Sequence, residues 1–182
     1  MAKDSSTIEV LLSLLARREV APLYLLYGEE DFLIDEGVKA IVDAVLGDGE
    51  RSFNLDTVSA ADRDMREILA IASSFPMMAE RRVVIIRDAE RVTGKDADLL
   101  AGYCENPPHT TCLILVTSKP DFRRKPFTTI RRKGIIVESK PLYENQLPAW
   151  ITTRAQTRFR HAAVLWAGGR SRRRARQRGE GR

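Results

Sequence analysis

The sequence has no apolar run of about 18 residues, the length that a membrane-spanning helix of ordinary size requires. Cysteine is scarce, so no disulfide framework is indicated, and Cys104 and Cys112 are expected to stay reduced in a cytoplasmic protein. Only two histidines occur, His109 and His161, and the spacing of Cys104, His109 and Cys112 completes no tetrahedral metal set. A Gly-x-Ser-x-Gly nucleophile motif is also missing. These absences argue against a membrane protein, a secreted disulfide scaffold, a metal site and a serine hydrolase.

What is present is typical of a soluble globular protein, with 43% hydrophobic and 30% charged residues. The amino-terminal stretch MAKDSSTIEVLLSLLARREV repeats apolar residues at helical spacing and interrupts them with polar and charged ones. It lacks the small-residue cleavage site of a secretory signal peptide. We therefore predict an amphipathic helix whose apolar face is formed by Ile8, Leu11, Leu12 and Leu15.

The positive charge is concentrated at the carboxyl end of the chain. The formal net charge is +5, yet residues 160–182 alone hold eight Arg, no Lys and one Glu. Residues 1–159 contain 22 basic and 24 acidic side chains and are therefore close to neutral. The basic isoelectric point is thus a property of the tail, and it does not by itself indicate nucleic-acid binding by the rest of the chain.

Short apolar runs rich in Val, Ile and Leu alternate with segments of helical periodicity. Such runs are typical of strands that are buried on both faces of a parallel sheet. Strand–helix alternation predicts an α/β fold, with a five-stranded, mainly parallel sheet flanked by helices. The predicted strands are 22–28, 53–60, 81–89, 110–118 and 133–141, and the predicted helices between them are 30–46, 60–72, 94–106 and 121–132.

Ligands of such sheets bind beyond the carboxyl ends of the strands, so the turn after the first strand, YGEEDFLIDEG, is a candidate phosphate loop. A Walker A loop requires Gly-x-x-x-x-Gly-Lys-Ser/Thr. Counted from Gly28, the second Gly position holds Leu33, the Lys position Ile34 and the hydroxyl position Asp35. Three carboxylates at the start of the helix would also repel a triphosphate: Glu29, Glu30 and Asp31. The sequence therefore predicts a P-loop-like turn with a degenerate nucleotide site, and a P-loop-like ATPase with an unusual loop is the alternative.

Asp88 and Glu90 follow the third strand, where a Walker B carboxylate would hold Mg²⁺. Without a phosphate loop, we interpret them as ion-pair partners of Arg87 or Arg91, or as a cap. Thr117 and Ser118 end the fourth predicted strand, where P-loop ATPases often carry a polar sensor. The simplest interpretation of these two residues is that they start a turn. No catalytic set emerges, which favours an interaction protein built on a nucleotide-binding fold.

The connection SSFPMMAERR, residues 73–82, is unusually apolar for a segment between a helix and a strand. Connections normally run over the surface and are polar. Two interpretations remain open: the apolar cluster packs on the edge of its own sheet, or it binds a partner.

Four separated segments carry a resemblance to a known family, and they occur in the same order: PLYLLYGEEDFLIDEG, SSFPMMAERRVVIIRDAER, ENPPHTTCLILVTSKPDFRRK and KGIIVESKPLYENQLPAWI. Over about residues 7–159 the chain resembles the delta subunit of the bacterial DNA polymerase III clamp loader. The resemblance implies an AAA+-type first domain with a decayed nucleotide site and no cofactor of its own. It also implies that the chain binds and opens the ring-shaped sliding clamp (the beta subunit) for loading on primed DNA, together with delta-prime and ATP-hydrolysing gamma/tau subunits.

In this family the clamp contact is an apolar pair before the third strand, a position that matches Met77 and Met78, with Phe75 and Pro76 beside them. Family members often carry Leu–Phe or a similar bulky pair there, so Met–Met is a conservative match. Methionine is flexible and polarizable and suits insertion into an apolar pocket. We expect the Met pair to face outward, Phe75 to pack inward beneath the loop, and Pro76 to stiffen it.

Two basic clusters flank the short helical segment near residue 127. Such clusters are ordinarily solvated faces. The alternative implied by the family is contact with the DNA backbone inside the loader, without reading of sequence. The residues are Arg123, Arg124, Lys125, Arg131, Arg132 and Lys133.

The resemblance divides the chain into an AAA+-like clamp-binding domain (1–142), a helix that starts a truncated second domain (143–159) and an Arg-rich, disordered tail (160–182). Family members continue into helical second and collar domains. The tail is either a nucleic-acid-binding extension, the basis of an alternative function, or out-of-frame sequence from a GC-rich gene. In either case we expect that the chain still contacts the clamp but does not assemble into a working loader.

Overall fold

The computed structural model describes residues 6–140, which form a parallel five-stranded sheet with helices on both faces. The strand order is β2-β3-β4-β1-β5, and every pairing is parallel. The strands are β1 (Leu23–Gly28), β2 (Leu55–Ser59), β3 (Arg82–Arg87), β4 (Thr111–Thr117) and β5 (Ile135–Ser139). The helices are α1 (Ile8–Ala16), α2 (Asp31–Val45), α3 (Arg51–Asn54), α4 (Met65–Ser73), α5 (Gly94–Glu105) and α6 (Phe127–Lys133), with a 3₁₀ turn at Ala89–Arg91.

The predicted fold class is confirmed, and each of the five predicted strands is present. The differences lie at the ends of elements. The predicted strand 53–60 starts only at Leu55, because Arg51–Asn54 form a helical turn. The predicted helix 60–72 starts at Met65, where Asp64 caps it by accepting a hydrogen bond from the Arg66 amide at 2.7 Å. The predicted helix 121–132 starts at Phe127, directly after Pro126. The predicted helix 144–159 and the tail 160–182 lie outside the described residues.

The sheet is the central layer of two cores. All seven residues of β4 are buried, which is why this strand reads as a continuous apolar run. Leu113 and Leu115 face the core beneath α4, α5 and α6, whereas Ile114 faces the core beneath α1 and α2. This alternation follows from the two-residue period of a strand. The two cores hold β4 rigidly at the centre of the sheet.

The predicted amino-terminal amphipathic helix is confirmed as α1, with Ile8, Leu11 and Leu15 buried and Leu12 half-buried. It packs against α2, where Gly37 allows the close approach: a Cβ there would lie 2.7 Å from Ile8 Cδ1. In the part of the chain that the structure describes, no helix is long and apolar enough to cross a membrane.

Cys104 and Cys112 are buried and unpaired thiols in the cores on opposite faces of the sheet. Burial raises the pKa of each thiol to about 12, so the reactive thiolate is scarce at pH 8. We expect both thiols to resist iodoacetamide in the folded chain at pH 8 and to react once urea unfolds it. Mass spectrometry of the alkylated chain checks this. Rapid alkylation of either thiol without denaturant would contradict the packing described here.

Candidate functional site

The apolar connection between α4 and β3 lies at the amino-terminal edge of the sheet. It spans residues 74–81 and is called here the docking loop. The loop precedes β3 and α3 precedes β2, and these two strands are parallel neighbours. Both segments therefore lie at the same edge, opposite the carboxyl edge where α/β sheets usually bind small ligands. A function of this loop does not depend on the nucleotide edge.

The side chains of the docking loop are unusually exposed. The exposed fractions are 86% for Phe75, 57% for Met77 and 96% for Met78, whereas Pro76 is half-buried. Phe53, in α3, is 64% exposed. Four of the seven large hydrophobic side chains that are exposed in the described chain therefore belong to this loop or to α3.

The outward orientation of the Met pair agrees with the sequence-based expectation, but the prediction that Phe75 packs inward is wrong. Pro76 disfavours a helical conformation at Phe75, which lies beyond the end of α4 at Ser73. In the last turn of α4, the Ala72 carbonyl accepts hydrogen bonds from two hydroxyl groups: Thr111 Oγ1 at 2.7 Å and the Tyr103 hydroxyl at 3.0 Å. Burial raises the pKa of Tyr103 to about 12, so its hydroxyl remains a donor at neutral pH.

The middle of the loop is held by Asn54, a fully buried residue of α3. Its Oδ1 accepts a hydrogen bond from the Met77 amide at 2.7 Å, and its Nδ2 donates to the Met77 carbonyl at 2.8 Å. The same Nδ2 also donates to the Glu50 carbonyl at 3.0 Å. Asn54 was not among the predicted site residues, because it lies within the predicted strand 53–60. The low strand propensity of asparagine was the available signal for a turn at this position.

The carboxyl end of the loop is fixed where β3 begins. Arg82 is buried and pairs with Asp56 of β2, with Nη2 and Oδ2 2.5 Å apart. Arg81 donates to the Val20 carbonyl at 3.3 Å. At the start of the loop, the Ser74 hydroxyl donates to the Ala70 carbonyl at 2.8 Å. The loop is therefore bonded at its start, middle and end, while its apolar side chains remain outside.

At the opposite, carboxyl edge, the residues that replace a phosphate loop make contacts within the protein. Ile34, at the Walker A lysine position, is buried, and Asp35 pairs with Arg87 at 2.7 Å. The crevice here has a volume of about 150 Å³, below the range of roughly 300–1,000 Å³ that is usual for ligand pockets. Its lining includes three carboxylates: Asp31, Asp88 and Glu90.

The predicted ion pairs of Asp88 and Glu90 with Arg87 or Arg91 are wrong. Asp88 instead accepts a hydrogen bond from the Ser59 hydroxyl, and Glu90 accepts one from Thr117, both at 2.7 Å. Thr117 is therefore the last residue of β4 and the hydrogen-bond donor to Glu90, and not merely the start of a turn.

Each of the six basic residues near α6 has a partner within the protein, and all six are exposed. Asp121 bonds Arg123 at 3.0 Å and lies 3.5 Å from Arg124, and hydrogen bonds from Arg123 hold its pKa below the usual value. Exposed pairs of this kind contribute little to stability. They partly neutralise the patch, which favours the solvated-face interpretation. The remaining contacts are Lys125 with Asp98, Arg132 and Lys133 with Glu105, and Arg131 over the Phe122 ring.

A parallel sheet in this order, with a degenerate phosphate loop after β1 and a docking loop at the opposite edge, defines an AAA+-like α/β protein. The family model described as "DNA polymerase III, delta subunit" matches residues 24–140, more than half of the chain. The chain belongs to this family.

Individual relatives agree with the family match. The DNA polymerase III subunit delta of Bacillus subtilis (strain 168) is 29% identical over 153 residues, which cover 79% of this chain and 44% of that protein. The solved Bacillus subtilis DNA clamp loader delta protein (YqeN) has a TM-score of 0.75 and 26% identity, covering 84% of this chain and 48% of that one. A gamma subunit-related protein of Thermotoga maritima, 19% identical with a TM-score of 0.55, covers 77% of this chain and 47% of that one and shares the fold alone. The chain thus spans about half the length of the relatives that it matches.

Proposed function

We propose that this chain binds the sliding clamp through Phe75, Pro76, Met77 and Met78, as a non-catalytic subunit of the clamp loader. The observation that carries the proposal is a docking loop whose backbone is bonded to the protein while its large apolar side chains face solvent. Membership of the delta family supports the sliding clamp as the proposed partner. On this proposal the chain acts in the cytoplasm, with delta-prime, gamma/tau and primed DNA as further partners.

The physical basis of binding is the transfer of exposed apolar side chains into a pocket on the clamp. Burying a Met or Phe side chain contributes roughly 1.5–3 kcal/mol. Because the loop backbone is already bonded, little conformational freedom is lost on binding. A small number of well-placed side chains is therefore sufficient to dominate the interface.

Opening of the clamp follows from the same contact if the chain binds the open ring more tightly than the closed ring. A ligand shifts a conformational equilibrium only by the difference between its affinities for the two states. At the carboxyl edge, Asp35 occupies the hydroxyl position of a phosphate loop and forms an ion pair with Arg87. This arrangement supports the proposal that other subunits hydrolyse ATP. This chain then supplies the contact with the clamp.

The test is a calorimetric titration of the full chain with purified sliding clamp, and separately with Mg²⁺–ATP. We expect saturable binding of the clamp and no heat of binding for the nucleotide. The clamp injected into buffer is the control for heats of dilution. Absence of clamp binding would overturn the proposal, and saturable binding of ATP would favour the alternative of an unusual P-loop ATPase.

A further inference from the structure

Asn54 makes more contacts with the docking loop than a surface turn residue needs. Its side chain is fully buried, and it forms two hydrogen bonds with Met77 across 23 positions of sequence. These two bonds use the amide N–H and the carbonyl of Met77 together, as a neighbouring strand would. The third bond, to the Glu50 carbonyl, ties the side chain back to its own helical turn.

Asn54 belongs to the short helix α3. This helix is bonded to α2 and to the turn that joins α2 to α3. Arg51 pairs with Asp43 of α2 at 2.8 Å. The Glu50 carboxylate accepts a hydrogen bond from the Gly47 amide, also at 2.8 Å. Asn54 therefore reaches the docking loop from a helical turn that is itself bonded to α2, although α3 is only four residues long.

The residue after Met77 has a backbone conformation that needs external support. Met78 has φ of 55°, in the left-handed region that non-glycine residues rarely adopt. Such a conformation persists where the surrounding structure imposes it. The Met78 side chain is almost fully exposed, so its own packing does not supply the constraint. Asn54 bonds the Met77 carbonyl, which belongs to the peptide group that joins Met77 to Met78, and so acts directly on the position next to the strained residue.

We propose that Asn54 is the positioning residue of the docking loop: it holds Met77, and through it the strained Met78, in the clamp-binding conformation before the clamp arrives. This inference rests on the proposed function. Without the Asn54 side chain, one or two loop residues regain backbone freedom that binding must then remove. The expected cost is a loss of affinity of roughly 10- to 100-fold, although Asn54 itself remains buried beneath the interface.

The experiment compares the affinity of the full chain for the sliding clamp before and after Asn54→Ala. A synthetic peptide of residues 73–82 serves as the loop without its anchor. We expect Asn54→Ala to weaken binding roughly 10- to 100-fold, towards the affinity of the peptide. The matched control is Ser139→Ala, which removes a buried hydroxyl bonded to the Glu30 carbonyl at the other edge of the sheet. It should leave affinity unchanged, and circular dichroism should show both variants folded.

A conservative variant separates positioning from a general loss of structure. Asn54→Asp keeps the acceptor for the Met77 amide and loses the donor to the Met77 carbonyl. Burial beside two carbonyl groups raises the pKa of the introduced carboxyl, and its protonated form has one O–H that can donate to the Met77 carbonyl. Affinity relative to the native chain should therefore recover as pH falls through that pKa and be lost as pH rises. If the affinity of Asn54→Asp relative to that of the native chain does not vary with pH, the proposed role of the donor is contradicted.

Amide hydrogen exchange decides the inference independently of clamp binding. The Met77 amide should be protected in the native chain and lose protection in Asn54→Ala, while the Ile114 amide in β4 stays protected. If the native chain does not bind the clamp, the proposed function fails, and the exchange result still decides whether Asn54 positions the loop. If Asn54→Ala binds the clamp as the native chain does, the positioning role is overturned and the proposed function stands.

Discussion

The double substitution Met77→Ala/Met78→Ala is expected to weaken binding of the sliding clamp by at least about 100-fold. Each methionine contributes roughly 1.5–3 kcal/mol when it is buried, and about 1.4 kcal/mol corresponds to a tenfold change in affinity. Nearly all of the Met78 side chain and more than half of the Met77 side chain are available for burial. Both the hydrophobic gain and the shape of the anchor are lost with the two side chains.

The stability of the folded chain should not change, because neither side chain belongs to a core. We expect the free energy of unfolding to stay within about 0.5 kcal/mol of the native value, as for ordinary surface substitutions. The control for affinity is Leu99→Ala, which removes an exposed apolar side chain from α5, away from the loop. Surface plasmon resonance with immobilised clamp measures both variants. Equal affinities for the native chain and the double variant would remove the docking loop from the interface.

The elements that were predicted well are those whose signal is local. Strand β4 was expected at 110–118 and occupies Thr111–Thr117, because a strand buried on both faces is predominantly apolar, as residues 112–116 are. Helix α1 was likewise visible, since a helix with one buried face repeats its apolar residues every three or four positions. In both cases burial by the rest of the fold leaves a pattern in neighbouring residues.

The features that were missed depend on contacts between distant residues. Asn54 interacts with a residue 23 positions away, and nothing in the sequence around either residue reports those hydrogen bonds. Phe75 reads equally well as a core residue in the sequence, and only the structure shows that 86% of it is exposed. The candidate site was therefore located by its unusual composition, but its support required the three-dimensional structure.

Gly28 illustrates a residue whose motif suggests one role and whose geometry requires another. In sequence it occupies the first position of a degenerate phosphate loop. In the structure it has φ of 140° and lies beside Ser139 of β5, with which it is paired in the sheet. A Cβ at Gly28 would lie 2.0 Å from the Ser139 carbonyl oxygen. The glycine is thus required by the pairing of β1 with β5, whether or not any phosphate binds.

Substitution Gly28→Ala is therefore expected to destabilise the chain by roughly 2–6 kcal/mol, the sum of a disfavoured φ and a steric clash with backbone. This is a large fraction of the roughly 5–15 kcal/mol that is typical of a folded domain, so partial unfolding at 37 °C is expected. Urea unfolding followed by circular dichroism measures the change. The matched control is Gly102→Ala in α5, where a Cβ meets nothing within 4 Å and should stabilise the helix by about 1 kcal/mol. Because the two substitutions add the same methyl group with opposite expected signs, a stable Gly28→Ala chain would show that β1 and β5 do not pair as described.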